Sequence, residues 1–140
     1  MFSIESNVGR LVEIRIEDLD SVKEVELVGR RFLAVVAGVK KRRVVVCADY
    51  RQVRLLAARV ADAFRDMMAT TNPRVERSAM LLPPASTQTL QIDRIARETR
   101  FAGRRTFREA SALERWLSEI LENPEMRRVR EFLGGDTKPS

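Results

Sequence analysis

The sequence contains no histidine and only one cysteine among its 140 residues. Without histidine, the chain lacks the commonest general base, the serine-histidine and cysteine-histidine nucleophile pairs, and the commonest transition-metal ligand. The single thiol, Cys47, cannot form an internal disulfide and cannot build a zinc site on its own. We therefore expect a protein of the reducing cytoplasm with no catalytic role, no cofactor and no metal.

Long apolar runs are absent as well. No run approaches the roughly 18 to 20 residues that span a bilayer, and the first residues show no basic segment followed by an apolar one, so we expect neither membrane insertion nor secretion. The hydrophobic fraction of 44% and the charged fraction of 33% are typical of a folded protein. We predict one domain over residues 1–133 and a disordered tail over residues 134–140.

Lysine is scarce, so arginine carries most of the positive charge. Only 4 of the 26 basic residues are lysines, and the net charge is +6. Residues 1–28 contain seven acids and three bases and carry −4, which leaves +10 on the remainder. Arginine binds phosphate and carboxylate groups through its planar fork. This asymmetry permits contact with nucleic acid or an acidic protein, and it also fits an ordinary solvated surface.

The first 16 residues predict a β-hairpin. Phe2 to Glu5 and Leu11 to Ile16 both have strand patterns, and Gly9 in the turn between them can adopt a positive φ. In the second strand Glu13 and Arg15 alternate with apolar residues, which predicts one apolar face directed at the core.

The rest of the chain alternates between helical and strand patterns. The unbroken apolar run from Val44 to Ala48 predicts a central strand that is covered on both faces. Helices are expected after the possible caps Asp18, Asp20 and Ser21, from Leu55, and after a cap at Ser86 or Thr87 with Leu90 and Ile92 inward. Two more helices are expected from Ala110 to Leu121 and from Asn123, and further strands at residues 78–82 and 104–107. This order predicts an α/β fold with a single, mainly parallel sheet of four to five strands, an opening β-hairpin and flanking helices.

Five segments of the chain follow one another in a recognisable order. They are the opening hairpin, the strand from Arg43 to Asp49, the segment from Glu76 to Leu81, a strand ending near Phe107 and a helix containing Glu114-Arg115-Trp116-Leu117. In the order of these pieces and in the closing strand and helix, the chain resembles the SpoIIAA-like family of the STAS and lipid-exchange-protein fold group. The resemblance covers roughly residues 2–120.

This resemblance implies a sheet of four or five strands flanked by helices, with regulatory or scaffolding work and no particular ligand. Anti-sigma-factor antagonists of the wider group use a serine, phosphorylated by a partner kinase, at a helix start just after the central strand. Here Asp49, Tyr50, Arg51 and Gln52 occupy that region, and no serine or threonine precedes the next helix. The residue needed for a phosphorylation switch is therefore missing from its usual place.

The first candidate site consists of Asp49, Tyr50, Arg51 and Arg54. They follow the central strand at the carboxyl edge, where open α/β sheets place ligands near a helix start. An exposed acid beside a guanidinium would recognise a charged group on a partner. A loop salt bridge or a helix cap would use the same residues.

The second candidate site is a series of arginines where the third predicted helix meets the last strand. If they converge, they form a footprint for a phosphate backbone, and if they do not, they form a solvated face with scattered salt bridges. Phe101 and Phe107 are the only rings nearby, which is few for base stacking. The arginines are Arg94, Arg97, Arg100, Arg104, Arg105 and Arg108.

The third candidate site is the amphipathic segment after Asn123, which carries Arg127, Arg128 and Arg130. It would dock to a partner or to a second copy as a homodimer seam, or pack back on its own sheet. Packing back would bury the apolar residues Met126, Val129, Phe132 and Leu133.

These features predict a non-catalytic regulatory or scaffolding module that binds another protein or itself, through the Asp49 to Arg54 loop or the C-terminal arginines. The alternative is a nucleic-acid-binding protein that uses Arg94 to Arg108 and whose affinity falls steeply with salt. A small enzyme using Asp49 and Glu76 would need paired acids or a phosphate-cradling glycine loop, and the sequence shows neither pattern.

Overall fold

The computed structural model describes residues 1–40, 43–84 and 86–134. The strands are β1 (Phe2–Glu5), β2 (Leu11–Ile16), β3 (Val44–Asp49), β4 (Val75–Leu81) and β5 (Arg104–Phe107). The helices are α1 (Val22–Ala37), α2 (Ala58–Thr71), α3 (Thr87–Glu98), α4 (Ala110–Ser118) and α5 (Asn123–Leu133), and a short 3-10 turn (Asn72–Arg74) follows α2. Of the tail predicted to be disordered, residues 135–140 lie outside the described residues.

The five strands form one sheet in the order β1-β2-β3-β4-β5. The opening hairpin is antiparallel, and the other three pairs are parallel, as expected for strands joined by helical crossovers. The predicted α/β architecture is therefore confirmed. β3 lies in the middle and all six of its residues are buried, which confirms the interpretation of its unbroken apolar run.

Helices cover both faces of the sheet. One core combines apolar residues of α1, α2 and α3 with the side chains that β2 and β3 direct to that face, such as Val12 and Val46. The other core combines residues of α4 and α5 with Leu11, Val45 and Cys47. Within the part of the chain described, no helix has both the length and the apolar composition needed to cross a bilayer.

The structure corrects the prediction for β2. Glu13 on its second face is only 3% exposed, because α5 packs over that face. Both faces of β2 are therefore covered, and not only the apolar face. The alternating pattern identified the strand but did not show that Glu13 on its other face is also buried.

The start of α2 also differs from the prediction. The helix begins at Ala58 and not at Leu55, because Val53 and Leu56 are drawn into the core by an extended connection. The start of α3 is capped by Ser86, as predicted, whose side chain accepts a hydrogen bond from the Thr89 N–H at 3.3 Å. Leu90, predicted to point inward, is 66% exposed.

Gly9 shapes the hairpin turn and its contact with the last helix. Its φ is +56°, a left-handed conformation that glycine adopts without steric cost. A Cβ at this position would collide with the side chain of Glu125, whose carboxylate accepts the neighbouring Arg10 N–H at 3.0 Å. The turn and the N-terminal end of α5 therefore fit together only with glycine at position 9.

We expect Gly9→Ala to lower the free energy of unfolding by about 1–3 kcal/mol, because it combines a strained backbone with displacement of Glu125. Urea denaturation followed by circular dichroism measures the change. Gly38→Ala is the matched control, since Gly38 has φ −85° and a new Cβ there would meet only ordinary contacts. Equal stability of the two variants would contradict this account.

Candidate functional site

Asp49, the acid predicted to be exposed, is buried at the end of β3 with 5% of its surface accessible. Its carboxylate accepts three hydrogen bonds from Arg51, from the backbone N–H at 3.1 Å and from Nε and Nη2 at 2.9 and 3.0 Å. Arg15 of β2 adds a fourth hydrogen bond, from its Nε at 3.2 Å. The acid is thus held by the chain's own guanidinium groups.

Both arginines also bind the C-terminal end of α5. Arg15 Nη2 donates to the carbonyl of Phe132 at 2.7 Å, and Arg51 Nη2 donates to the carbonyl of Leu133. Carbonyls in the last turn of a helix have no partner within the helix and carry the negative end of its dipole, so cations stabilise them. The Arg15 guanidinium also stacks on the Phe132 ring, 4.3 Å from its centroid.

Two opposing effects act on the pKa of Asp49. Burial favours the neutral carboxyl and raises the pKa, while the hydrogen bonds from Arg51 and the charges of Arg51 and Arg15 favour the carboxylate. The hydrogen bonds and charges together outweigh burial, so the pKa lies below its ordinary value. Asp49 is an ionised structural group, and no free general base or exposed recognition element is found at this position.

Sequence reasoning missed Arg15 as part of this site. Arg15 lies beside Asp49 in the parallel register of β2 and β3, and this register could not be read before the strand order was known. The signal in the sequence was the pair of charged residues, Glu13 and Arg15, on one face of β2. An acid and a base on a strand face are equally compatible with a solvated face, so this signal alone did not predict the covering helix.

The other residues of the first candidate site separate. Tyr50 is 3% exposed and packs edge-on against Phe64, with ring centroids 5.9 Å apart, so it is a core residue. Its burial raises the pKa of the phenol. Arg54 is exposed, and its backbone N–H donates a hydrogen bond to the Glu17 carbonyl at 3.1 Å.

The C-terminal arginines divide between an inner and an outer face of α5. Arg128 points inward and binds the buried Glu13 carboxylate through two hydrogen bonds, at 2.7 and 2.8 Å. This hydrogen-bonded partner raises the pKa of Arg128. Arg127 and Arg130 are exposed. The segment packs back on its own sheet, which was one of the interpretations left open by the sequence.

The second candidate cluster does not converge into one surface. Arg94 pairs with Glu98 and Arg97 with Asp93 along α3, at 3.1 and 3.5 Å. Neighbouring strand residues point to opposite faces, and Arg105 stacks on Trp116 of α4 while Arg104 stacks on Phe101. The cluster that the sequence predicted consists of Arg94, Arg97, Arg100, Arg104, Arg105 and Arg108.

Two further groups have side chains of reactive or metal-binding types. Cys47 is fully buried between strands, and burial raises the pKa of its thiol, which suppresses the reactive thiolate. Among the described residues, Asp18, Asp20 and Glu24 are the acids close enough together to share a cation. Asp18 instead pairs with the terminal ammonium group at 2.6 Å, and Glu24 accepts the Asp20 N–H.

The sequence matches no protein-family model and no curated protein. Its fold is similar to the folds of solved structures. An uncharacterized protein of the DUF3478 family with a SpoIIAA-like fold, from Shewanella loihica PV-4, has a TM-score of 0.61 and 15% identity over 83% of this chain and 93% of its own. The anti-sigma factor antagonist SpoIIAA in its unphosphorylated form has a TM-score of 0.57 and 14% identity over 87% of this chain and 100% of its own.

These likenesses show that the chain has a SpoIIAA-like α/β fold, the fold implied by the resemblance in its sequence. At this level of identity they establish the architecture and leave the function to the residues of this chain. In the position after β3, the carboxylate of Asp49 is bound by Arg15 and Arg51, and the guanidinium of Arg51 also donates to the Leu133 carbonyl of α5.

We expect Asp49→Asn to lower the free energy of unfolding at pH 7 by about 2–3 kcal/mol, because two guanidiniums lose their counter-ion. Removing one partner of a fully buried pair costs more, about 3–5 kcal/mol, but here both arginines are 37% exposed. Since the pKa of Asp49 is lowered on folding, its contribution is present above the unfolded pKa of about 3.9 and is lost as pH falls through the folded value.

Urea denaturation of both proteins between pH 7 and pH 2.5 measures this difference, which shrinks below about pH 4 as the carboxyl of the parent protonates. Asp62→Asn is the control, because Asp62 is 66% exposed and makes one ion pair with Arg65 at 3.4 Å. A constant difference across the whole pH range would refute an ionised Asp49.

Proposed function

We propose that this chain is a non-catalytic regulatory module that binds another protein through a patch at the carboxyl edge of its sheet. The patch consists of Arg54 and Leu55 of the β3–α2 connection, Arg59 of α2 and Leu90 of α3, and is called the Leu55–Leu90 patch below. All four side chains are exposed. The observation that carries the proposal is the exposure of the two leucines, 56% and 66%.

A rigid contact holds the two leucines in place. The Leu56 N–H donates to Gln91 Oε1, and Gln91 Nε2 donates back to the Leu56 carbonyl, both at 2.8 Å. Leu55 precedes Leu56 and Leu90 precedes Gln91, so each leucine lies one residue from this contact. Single exposed leucines are ordinary, but leucines on a fixed surface lose little conformational freedom when a partner covers them.

The charge of the patch indicates the kind of partner. The side chains of Arg54 and Arg59 form no salt bridge within the described part of the chain. Arg54 immediately precedes Leu55, and Arg59 lies four residues after Leu55. An apolar centre with a cationic rim suits a protein surface that offers an apolar side chain among acids. We therefore assign an acidic protein surface as the partner.

The fold supports this assignment. The solved structure with 14% identity is described as an antagonist of an anti-sigma factor, a protein that acts on another protein. The residues between β3 and α2 form part of the patch in this chain. Because no serine or threonine stands between Asp49 and Ala58, we propose that binding here does not depend on phosphorylation of this connection.

The other two candidate sites support partner binding less well. In the C-terminal segment, the inward Arg128 is engaged by Glu13, which leaves only Arg127 and Arg130 for a partner. Among the arginines from Arg94 to Arg108, Arg104 and Arg105 point to opposite faces of β5, so the set does not form a continuous track for a nucleic-acid backbone.

We expect the double variant Leu55→Asp with Leu90→Asp to retain at least tenfold less partner than the parent protein in affinity purification from a native lysate. The new carboxylates remove the apolar contact and repel an acidic surface. The retained protein is identified by mass spectrometry after a high-salt wash and nuclease treatment, and the affinity of the purified pair is then measured by calorimetry.

The matched control is Leu27→Asp with Leu33→Asp, because these leucines of α1 have similar exposures of 43% and 49% and lie outside the patch. This control should retain the partner. The proposal fails if the control and the patch variant bind equally, or if only nucleic acid is retained by the parent protein.

A further inference from the structure

A cleft of about 350 Å³ lies between the end of α3 and β5, and is called the α3–β5 cleft below. It is separate from the Leu55–Leu90 patch, which contributes none of its lining. Its volume lies near the lower end of the range of small-molecule sites, about 300–1,000 Å³. The cleft is lined by Asp93, Ala96, Arg97, Arg100, Phe101, Ala102, Arg104 and Thr106.

Arg104 has an unusual environment in this cleft. Its Nη1 donates to Asn72 Oδ1 at 2.8 Å and to Thr99 Oγ1 at 2.9 Å, and its guanidinium lies 5.1 Å from the centroid of the Phe101 ring. All of these partners are neutral. Its Nε is buried and is the one such side-chain nitrogen or oxygen without a hydrogen-bond partner in the described ranges. Burial lowers the pKa of Arg104.

Other partly buried arginines of this protein are paired with carboxylates. Arg15 and Arg51 bind Asp49, and Arg128 binds Glu13. A guanidinium that is withdrawn from water without a counter-ion is destabilising, and buried charges are therefore normally paired. Arg104 has no carboxylate within salt-bridge distance among the described residues. Its missing counter-ion is the feature that points to a ligand.

The surroundings of Arg104 add positive charge. Arg97 and Arg100 line the same cleft and are exposed, and Asp93 is the one acid in its lining. Asp93 is shared by Arg97, at 3.5 Å, and by the Thr106 hydroxyl, at 2.7 Å. Three guanidiniums therefore face one carboxylate. An anion that enters the cleft meets an excess of positive charge and supplies the counter-ion that Arg104 lacks.

We propose that the α3–β5 cleft binds the phosphate group of a small phosphomonoester, with Arg100 and Arg104 as the principal contacts and Arg97 at the rim. The planar forks of these arginines suit the oxygens of a phosphate dianion. The half-buried Phe101 ring forms an apolar wall for the rest of the molecule. The ligand is small because the cleft is small and the neighbouring arginines do not extend it into a track.

Calorimetric titration with phenyl phosphate and with inorganic phosphate, against sodium chloride at matched ionic strength, tests this site. The parent should bind phenyl phosphate more tightly than inorganic phosphate, since only the ester reaches the Phe101 wall. Arg104→Gln should weaken binding at least tenfold, because it removes a charge-assisted contact. Asp93→Asn should strengthen binding several-fold, because it removes the opposing charge and releases Arg97.

The matched control is Arg105→Gln, which changes the same residue type one position along β5 but on the opposite face, where Arg105 stacks on Trp116. It should leave the affinity unchanged. Should Arg104→Gln fail to fold, Arg100→Gln replaces it, because Arg100 is exposed and should still weaken binding at least tenfold.

Equal binding by the parent, Arg104→Gln and Arg105→Gln would overturn the proposal, since it would mark a general effect of the anion. No binding beyond chloride would overturn it as well. Binding of duplex DNA that phenyl phosphate does not compete with would assign the arginines to a polyanion instead. None of these results depends on the Leu55–Leu90 patch, so the two proposals fail independently.

Discussion

A carboxylate at the end of the middle strand cannot remain ionised in an apolar interior without cations beside it, and Asp49 obtains two of them, Arg15 and Arg51. Each guanidinium also donates a hydrogen bond from its Nη2 to one of the final carbonyls of α5. One buried charge thus determines where the last helix ends. The pair of Glu13 and Arg128 fixes the middle of the same helix, so α5 has one register on the sheet.

This arrangement explains which parts of the structure were predictable from the sequence. The hairpin and β3 depend on local patterns, and their predictions are confirmed. Of the three residues that offered a cap for α1, Asp18, Asp20 and Ser21, the structure uses Ser21. The burial of Asp49 depends on a helix more than 70 residues away in the chain, and a local pattern contains no information about that helix. An acid after a strand has the same local sequence whether it faces solvent or an arginine from another element.

The arginines of the second candidate cluster show that a local sequence pattern also predicts functional sites incompletely. Six of them between Arg94 and Arg108 formed one candidate cluster in the sequence, and the structure assigns them different roles. Acids one helical turn away engage Arg94 and Arg97, while Trp116 covers Arg105. The i,i+4 acids were visible in the sequence, but the absence of a counter-ion at Arg104 required knowledge of the strand faces.

The contact between β2 and α5 also has a consequence for the order of events during synthesis. Glu13 and Arg128 are 115 residues apart, and so are Arg10 and Glu125. In a growing polypeptide, Glu13 and Arg15 of β2 therefore stay uncovered until residues 123–133 have left the ribosome. Contacts of such long sequence separation form slowly. The hairpin is synthesised before the helix that completes its packing, so its second face is exposed to other molecules throughout that interval.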